Sequence, residues 1–201
     1  MRKIFISCVI MALFASPLVA EEMPGLKVGV KAPDFEALNF KGEKVKLSDL
    51  YKNGPAVLIF YRGGWCYYCN IQLRELQANL DNFKKHNATL VALSVDKVVN
   101  AAATVKDKGL GFEVISNPEA DILEAYELIY KVPDELNEQY KEKYNIDLEA
   151  ASGRTDHVIA IPATYIIDTK GTIVFAYANE DYKVRTSVEE ILQELEKLPS
   201  N

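Results

Sequence analysis

Two rhythms of apolar and polar positions alternate along this chain. The run Ala-Val-Leu-Ile-Phe-Tyr at 56–61 follows Pro55 with no polar interruption, the pattern of a strand covered on both faces of a sheet. Similar runs at 88–95 and 111–116 predict two more strands. Between the first two, Ile71, Leu73, Leu76, Leu80 and Phe83 recur near helical spacing, predicting an amphipathic helix over about 66–84. A further helix is expected over about 98–108, stopped by Gly109. Upstream, after a mobile lead-in at 21–30, a short strand opens at 31–35. Lys41-Gly42 makes a turn, 45–47 returns with period-two alternation, and Ser48-Asp49-Leu50 is expected to cap a short helix. Downstream, a helical stretch over about 121–144, broken at Pro133, leads into a loop at 146–157. Apolar runs at 163–168 and 172–177 then flank Thr169-Lys170-Gly171, a hairpin signal, and a helix over about 187–198 closes the chain. This order predicts one α/β domain: a mixed central sheet flanked by helices, with a helical insert at about 121–157 before the final hairpin.

The first 20 residues stand apart from that domain. Arg2 and Lys3 precede an apolar stretch to about Phe14, and Ser16-Pro17-Leu18-Val19-Ala20 ends on a small residue, so 1–20 reads as a secretory signal peptide and 21–201 as the domain. The stretch is shorter than the roughly 20 apolar residues that a spanning helix needs. A product exported across the inner membrane, periplasmic and not integral to the membrane, is expected. The chain carries 23 Lys and Arg against 29 Asp and Glu, a net charge of −6; without Arg2 and Lys3 it falls to −8. Such a balance disfavours nucleic acid and anionic membranes as partners.

Cleavage at Ala20 also removes Cys8 and leaves two cysteines, Cys66 and Cys69, three positions apart in Phe60-Tyr61-Arg62-Gly63-Gly64-Trp65-Cys66-Tyr67-Tyr68-Cys69. One adjacent pair closes too short a loop to stabilise much. Four ligands are needed for structural zinc, and His86 and His157 are not spaced as a ligand pair. A redox role remains. Both cysteines are expected in the first turn of the helix, where unpaired N–H groups and the helix dipole favour a thiolate and lower a cysteine pKa from about 8.5 toward about 3.5–7.5.

These residues carry a resemblance. The redox helix after the central strand, with Ile161-Pro162-Ala163-Thr164 before the hairpin, resembles the thioredoxin fold. Gly29-Val30-Lys31-Ala32-Pro33-Asp34-Phe35, Leu47-Ser48-Asp49-Leu50, the 60–69 motif and Ile115-Ser116-Asn117-Pro118 are similar to the peroxiredoxin-like group of the alkyl hydroperoxide reductase / thiol-specific antioxidant family. The resemblance covers about 26–197. It implies Cys69 as the peroxidatic cysteine, eight positions after Tyr61, with Cys66 as its disulfide partner. The Pro and Thr that the family places seven and three positions before that cysteine are Arg62 and Cys66 here. Cys66 stands where thioredoxins carry their attacking thiol, while the buried acid of thioredoxins is replaced by Phe60. Pro162 matches the cis proline that faces the thiols in thioredoxins; on sequence pattern alone it is a strand-edge proline.

Supporting candidates each carry two readings. Arg62 stabilises a thiolate or ends the strand in a salt bridge. Trp65, Tyr67 and Tyr68 shape an apolar substrate surface or simply pack. Arg74 is expected on solvated surface, and Arg154 and His157 on a polar loop. Asn87-Ala88-Thr89 matches a glycosylation acceptor. Tyr126, Tyr130, Tyr140 and Tyr144 of the insert are expected to cover an apolar surface beside the redox helix. The leading expectation is a secreted thiol peroxidase, with a hydroperoxide substrate, a thioredoxin-like protein or small thiol as reductant, and no cofactor or metal. The alternative is a periplasmic thiol–disulfide oxidoreductase attacking with Cys66. A binding protein on the same scaffold is a third reading, which the intact pair argues against.

Overall fold

The computed structural model describes residues 23–199; the expected signal segment at 1–20 lies outside them. A first hairpin pairs β1 (Glu36–Asn39) with β2 (Lys44–Lys46) and runs into the short α1 (Leu47–Leu50). The strand expected at 31–35 thus begins later, and only Lys31 makes an isolated bridge, to Thr172. Ser48 does not cap α1 with its side chain. The Ser48 N–H instead donates to Asp34 Oδ1 at 2.9 Å, so the carboxylate upstream takes the capping part.

The apolar run becomes β3 (Ala56–Phe60), buried at every position. It lies between β4 (Thr89–Ser94), which is parallel to it, and β8 (Ala163–Ile167), which is antiparallel. With β5 (Glu113–Ser116) and β9 (Ile173–Ala178) the order is β2-β1-β5-β4-β3-β8-β9. Alternate side chains of the central strand feed two cores. Ala56, Leu58 and Phe60 join Tyr126 and Tyr165 on one face; Val57, Ile59 and Tyr61 join Cys66, Cys69, Leu73 and Ile191 on the other.

The helix expected over 66–84 is two helices, α2 (Tyr67–Ala78) and α3 (Leu80–Lys85). Asn79 divides them: its side-chain amide donates to the Glu75 carbonyl at 2.9 Å, competing locally with the helical ladder. α4 (Val98–Lys108) ends at Gly109 in the left-handed region, as expected, and α8 (Val188–Glu196) starts from a Ser187 cap.

The insert departs most from expectation. Its elements are α5 (Asp121–Ala125), β6 (Ile129–Lys131), α6 (Asp134–Tyr144), α7 (Leu148–Ser152) and β7 (Val158–Ala160), with β6 and β7 paired as a separate two-stranded sheet. From Leu128 to Val132 buried and exposed positions alternate, a period-two signature that breaks the helical reading. The expected loop at 146–157 contains α7.

Candidate functional site

Where β3 ends, the chain must turn sharply to present the N-terminus of α2. Gly63 makes this possible with φ +149°, where a Cβ would strike the Trp65 ring. The turn is pinned on both sides: the Gly64 N–H donates to Asp96 Oδ2 at 2.7 Å, and Asn70 Nδ2 donates to the Gly64 carbonyl at 2.8 Å. Cys66 is the N-cap of α2. Its Sγ accepts the Cys69 N–H at 3.4 Å, the part that a Ser or Asp oxygen ordinarily plays at a helix start. Cys69 follows in the first turn, and both are free thiols.

Their electrostatics differ in sign. Hydrogen bonding from the Cys69 side chain holds the Cys66 pKa down, burial opposes this, and the Cys69 N–H with the charges of Arg62 and Arg185 adds to the lowering, bringing it to about 6. Burial pushes the Cys69 thiol well up, and donation to Cys66 and the Cys66 charge raise it further; Arg185 and the Arg62 backbone N–H offset part of this. The two shifts favour a thiolate on Cys66 and a thiol on Cys69 near neutral pH.

Arg62 is buried, and its nearest recorded partners are aromatic. Its guanidinium carbon lies 4.1 Å from the Tyr182 ring centroid, 5.1 Å from Trp65 and 5.7 Å from Tyr140, and Nη2 donates to the Tyr140 hydroxyl at 2.5 Å. The guanidinium lies against these aromatic groups, and its charge adds to the lowering of the Cys66 pKa. Trp65 packs against both cores and against Tyr140 at 5.9 Å. Through Tyr140 the insert reaches the redox turn. Tyr126 is buried in the first core, Tyr130 lines a small cavity with Arg62, and Tyr144 is exposed.

Pro162 departs from the resemblance: among the described residues no peptide bond is cis. It stands between β7 and β8, the strand-edge position that the sequence pattern gave, and lines the same small cavity as Arg62 and Tyr140. Arg74 is exposed, as expected. Arg154 pairs with Asp156 and donates to the carbonyls of Pro118 and Glu119, while His157 meets Glu149 and Asn137; both are tied to their own loop rather than to the thiols. Tyr67 is exposed and stacks edge-on with Tyr68, which in turn meets Tyr182. No group of three His, Cys, Asp or Glu among the described residues is placed to hold a metal ion, and no described helix is long and apolar enough to cross a membrane.

Two charged residues emerge only in three dimensions. Arg185 Nη2 lies 3.5 Å from Cys69 Sγ although 116 positions separate them. Asp96, 1% exposed, has a pKa raised to about 6, mainly by burial, with the Cys66 charge adding to the rise and the Gly64 N–H and Ser94 hydroxyl opposing it. Its place just beyond β4, at the carboxyl end of a strand parallel to the redox strand, was the available signal, because sites in α/β sheets gather there.

A strand-to-helix turn thus presents two free cysteines, one with its pKa lowered and the other raised, at the carboxyl edge of a thioredoxin-like sheet. The AhpC/TSA family model matches residues 28–176, and this chain belongs to that family. It is 28% identical over 192 residues to the chloroplastic 2-Cys peroxiredoxin BAS1 of Spinacia oleracea, covering 92% of this chain and 63% of that protein's length. It is 25% identical over 182 residues to the thiol-disulfide oxidoreductase ResA of Oceanobacillus iheyensis, covering 86% of this chain and 79% of the relative. The crystal structure of peroxidoxin BcpB from Mycobacterium tuberculosis superposes with a TM-score of 0.68 at 17% identity, covering 89% of this chain and all of that one, which establishes the shared fold.

Proposed function

We propose that this protein is a thiol-dependent peroxidase in which Cys66 attacks and Cys69 resolves. The Cys66 thiolate attacks one oxygen of a hydroperoxide; an S–O bond forms, the O–O bond breaks, and the leaving alkoxide takes a proton, leaving a Cys66 sulfenic acid and an alcohol. Cys69 then gives up its proton and attacks the Cys66 sulfur. The S–S bond forms as the S–O bond breaks, and water leaves. A thiol reductant, a thioredoxin-like protein or a small thiol, regenerates the pair through a mixed disulfide. The observation that carries this reading is the opposite titration of the two sulfurs, Cys66 lowered and Cys69 raised. It reverses the roles that the family pattern implies, because burial deprives Cys69 of the thiolate that an attacking sulfur needs. Family membership and the peroxiredoxin relative support peroxide as the oxidant. So does the 3% exposure of Cys66, which admits a small molecule more readily than a protein disulfide.

A second reading, thiol–disulfide exchange with other proteins, is favoured by the ResA relative and by the same N-cap thiolate. Single variants separate the two. Cys69→Ser is expected to consume one equivalent of hydrogen peroxide and hold a dimedone-reactive sulfenic acid on Cys66, while Cys66→Ser is inert. If Cys69→Ser ignores peroxide and accumulates mixed disulfides with proteins, the exchange reading holds; if Cys66→Ser retains the peroxide reaction, Cys69 is the attacking sulfur. The reading includes export: the mature chain begins near Glu21 in the periplasm, and a native intact mass retaining Met1 would contradict it.

A further inference from the structure

The peroxidase cycle needs a thiol reductant, and burial limits which one reaches the disulfide. Cys66 is 3% exposed and Cys69 fully buried, so the reductant attacks the Cys66 sulfur and is itself small. The small cavity beside the redox turn adds a second criterion, charge. It holds about 60 Å³ and is walled by the insert, by the chain on either side of Pro162 and by the segment after β9. Arg62 closes it from just beyond β3. The Arg62 guanidinium lies 5.1 Å from the ring of Trp65, which precedes Cys66, and Tyr182 of the cavity wall meets Tyr68, which stands between the two cysteines, at 5.8 Å. The cavity therefore adjoins the redox motif.

The guanidinium is the unusual element of this wall. It is 5% exposed, it donates to a neutral hydroxyl, that of Tyr140, and three ring faces surround it at 4.1, 5.1 and 5.7 Å. Ring faces attract a cation by roughly 0.5–2 kcal/mol each, whereas a planar guanidinium offers five N–H donors in a fork that fits a carboxylate through two parallel hydrogen bonds. The rest of the lining suits the same guest. Leu136 and Pro162 are apolar, and the volume takes a few water-sized groups at roughly 10–15 Å³ each, the size of a carboxylate on a short stem. Glu180 also lines the cavity and is exposed, so it opposes a second negative charge; Lys183 lies outside, 5.9 Å from the Tyr182 ring. In the reduced protein the Cys66 thiolate offsets part of the Arg62 charge. The disulfide has no such charge, so the cavity attracts an anion most strongly when a reductant is needed.

We propose that this cavity is the carboxylate subsite for a small thiol with a single carboxylate that reduces the Cys66–Cys69 disulfide, and that Arg62 grips the carboxylate. This rests on the disulfide cycle of the peroxidase reading. With the carboxylate on Arg62, the thiolate of the reductant attacks Cys66 Sγ: a mixed S–S bond forms, the Cys66–Cys69 bond breaks, and its electron pair goes to Cys69, which takes a proton from water. A second molecule of the thiol then attacks the reductant's own sulfur in the mixed disulfide. The small disulfide leaves, and Cys66 is returned as a thiolate.

Trp65 is the single tryptophan of the chain and stands next to Cys66, so its fluorescence follows reduction of the disulfide. The probes are 3-mercaptopropionate and 2-mercaptoethanol, mixed with protein whose disulfide has been formed by diamide, and each rate is referred to that of the same thiol with a small disulfide in free solution. On this scale mercaptopropionate is expected to be about tenfold faster, the low end of a hydrogen bond to a charged group, and to saturate, while the mercaptoethanol rate stays linear in concentration. Propionate, which has no thiol, is expected to compete with mercaptopropionate, and the second carboxylate of mercaptosuccinate to bring no further gain. Arg62→Met is expected to remove both the excess rate and the propionate competition, and Tyr140→Phe to remove part of each. Comparing two thiols within one variant cancels any general loss of reactivity. An excess rate that persists in Arg62→Met, or linear kinetics without propionate competition in the unmutated protein, overturns the subsite. Failure of hydrogen peroxide to form the disulfide overturns the peroxidase reading instead, and the preference measured on the diamide-formed disulfide still decides the subsite.

Discussion

The two faces of the central sheet are built from the same strand and differ in how completely their polar atoms are satisfied. On the face that receives Phe60, the tyrosines find partners: Tyr126 donates from its hydroxyl to the Pro33 carbonyl at 3.1 Å, and the Tyr165 hydroxyl accepts the Leu26 N–H at 3.0 Å. Their rings pack on Phe60 at 5.0 and 5.9 Å. On the face that receives Tyr61, the Tyr61 hydroxyl is buried without a partner, as are Asn70 Oδ1 and Gln72 Oε1 of the redox helix and Arg185 Nε beside Cys69; in the insert Asn137 Oδ1 is unpartnered too. That face also holds the two thiols. The face of Phe60 is satisfied scaffold, while the redox helix and its turn carry several unsatisfied groups, a pattern often found where local rules of stability are broken for function.

The largest contrast lies between neighbours in the strand. Phe60→Ala empties the satisfied face and is expected to cost about 3–5 kcal/mol in urea unfolding. Tyr61→Phe removes a hydroxyl that has no partner and is expected to change stability by less than about 1 kcal/mol, in either direction. Equal losses at both positions would erase the distinction between the faces.

The next effect is electrostatic. Because the Asp96 pKa is raised on folding, from 3.8 to about 6, the folded state holds more protons than the unfolded one between those values, and stability falls as pH rises across that window. Two units correspond to about 3 kcal/mol as an upper figure. The reduced Cys66 acts in the opposite sense. Its lowered pKa contributes stability that is fully present above the unfolded-state value near 9 and is lost as pH falls through about 6. Urea midpoints of the reduced protein between pH 4 and 9 are expected to pass through a minimum near 6, and Asp96→Asn to remove the decline on its acid side.

A smaller effect tests the aromatic setting of Arg62. Arg62→Met keeps the packing against Trp65, Tyr140 and Tyr182 but removes the charge, and is expected to raise the Cys66 midpoint by about one unit. Titrating thiolate absorbance in Cys69→Ser and in the double variant would show it.

How much of this was legible in the chain follows the same division. Runs such as 56–61 and 88–95 declared the central strands, because a strand covered on both faces has nowhere to put a polar side chain. Thr169-Lys170-Gly171 declared the hairpin, and the glycines with the cysteine spacing declared the redox turn. β6 escaped because three residues of alternation between two helices give a weaker signal than the helical periods around them. Arg185 escaped for another reason: no local pattern links it to Cys69, and only the return of the chain after β9 brings them together. Spacing within the motif located both cysteines but left their roles to burial and charge, which depend on the tertiary structure.

The central claim is that Cys66 carries the thiolate and Cys69 the proton. Alkylation of the reduced protein with iodoacetamide, followed across pH and assigned by peptide mass, measures this directly. The account predicts that Cys66 is modified first, at a rate rising with pH around a midpoint near 6, while Cys69 stays protected through neutral pH. Modification of Cys69 ahead of Cys66, or a Cys66 midpoint at the ordinary thiol value of about 8.5, would contradict it.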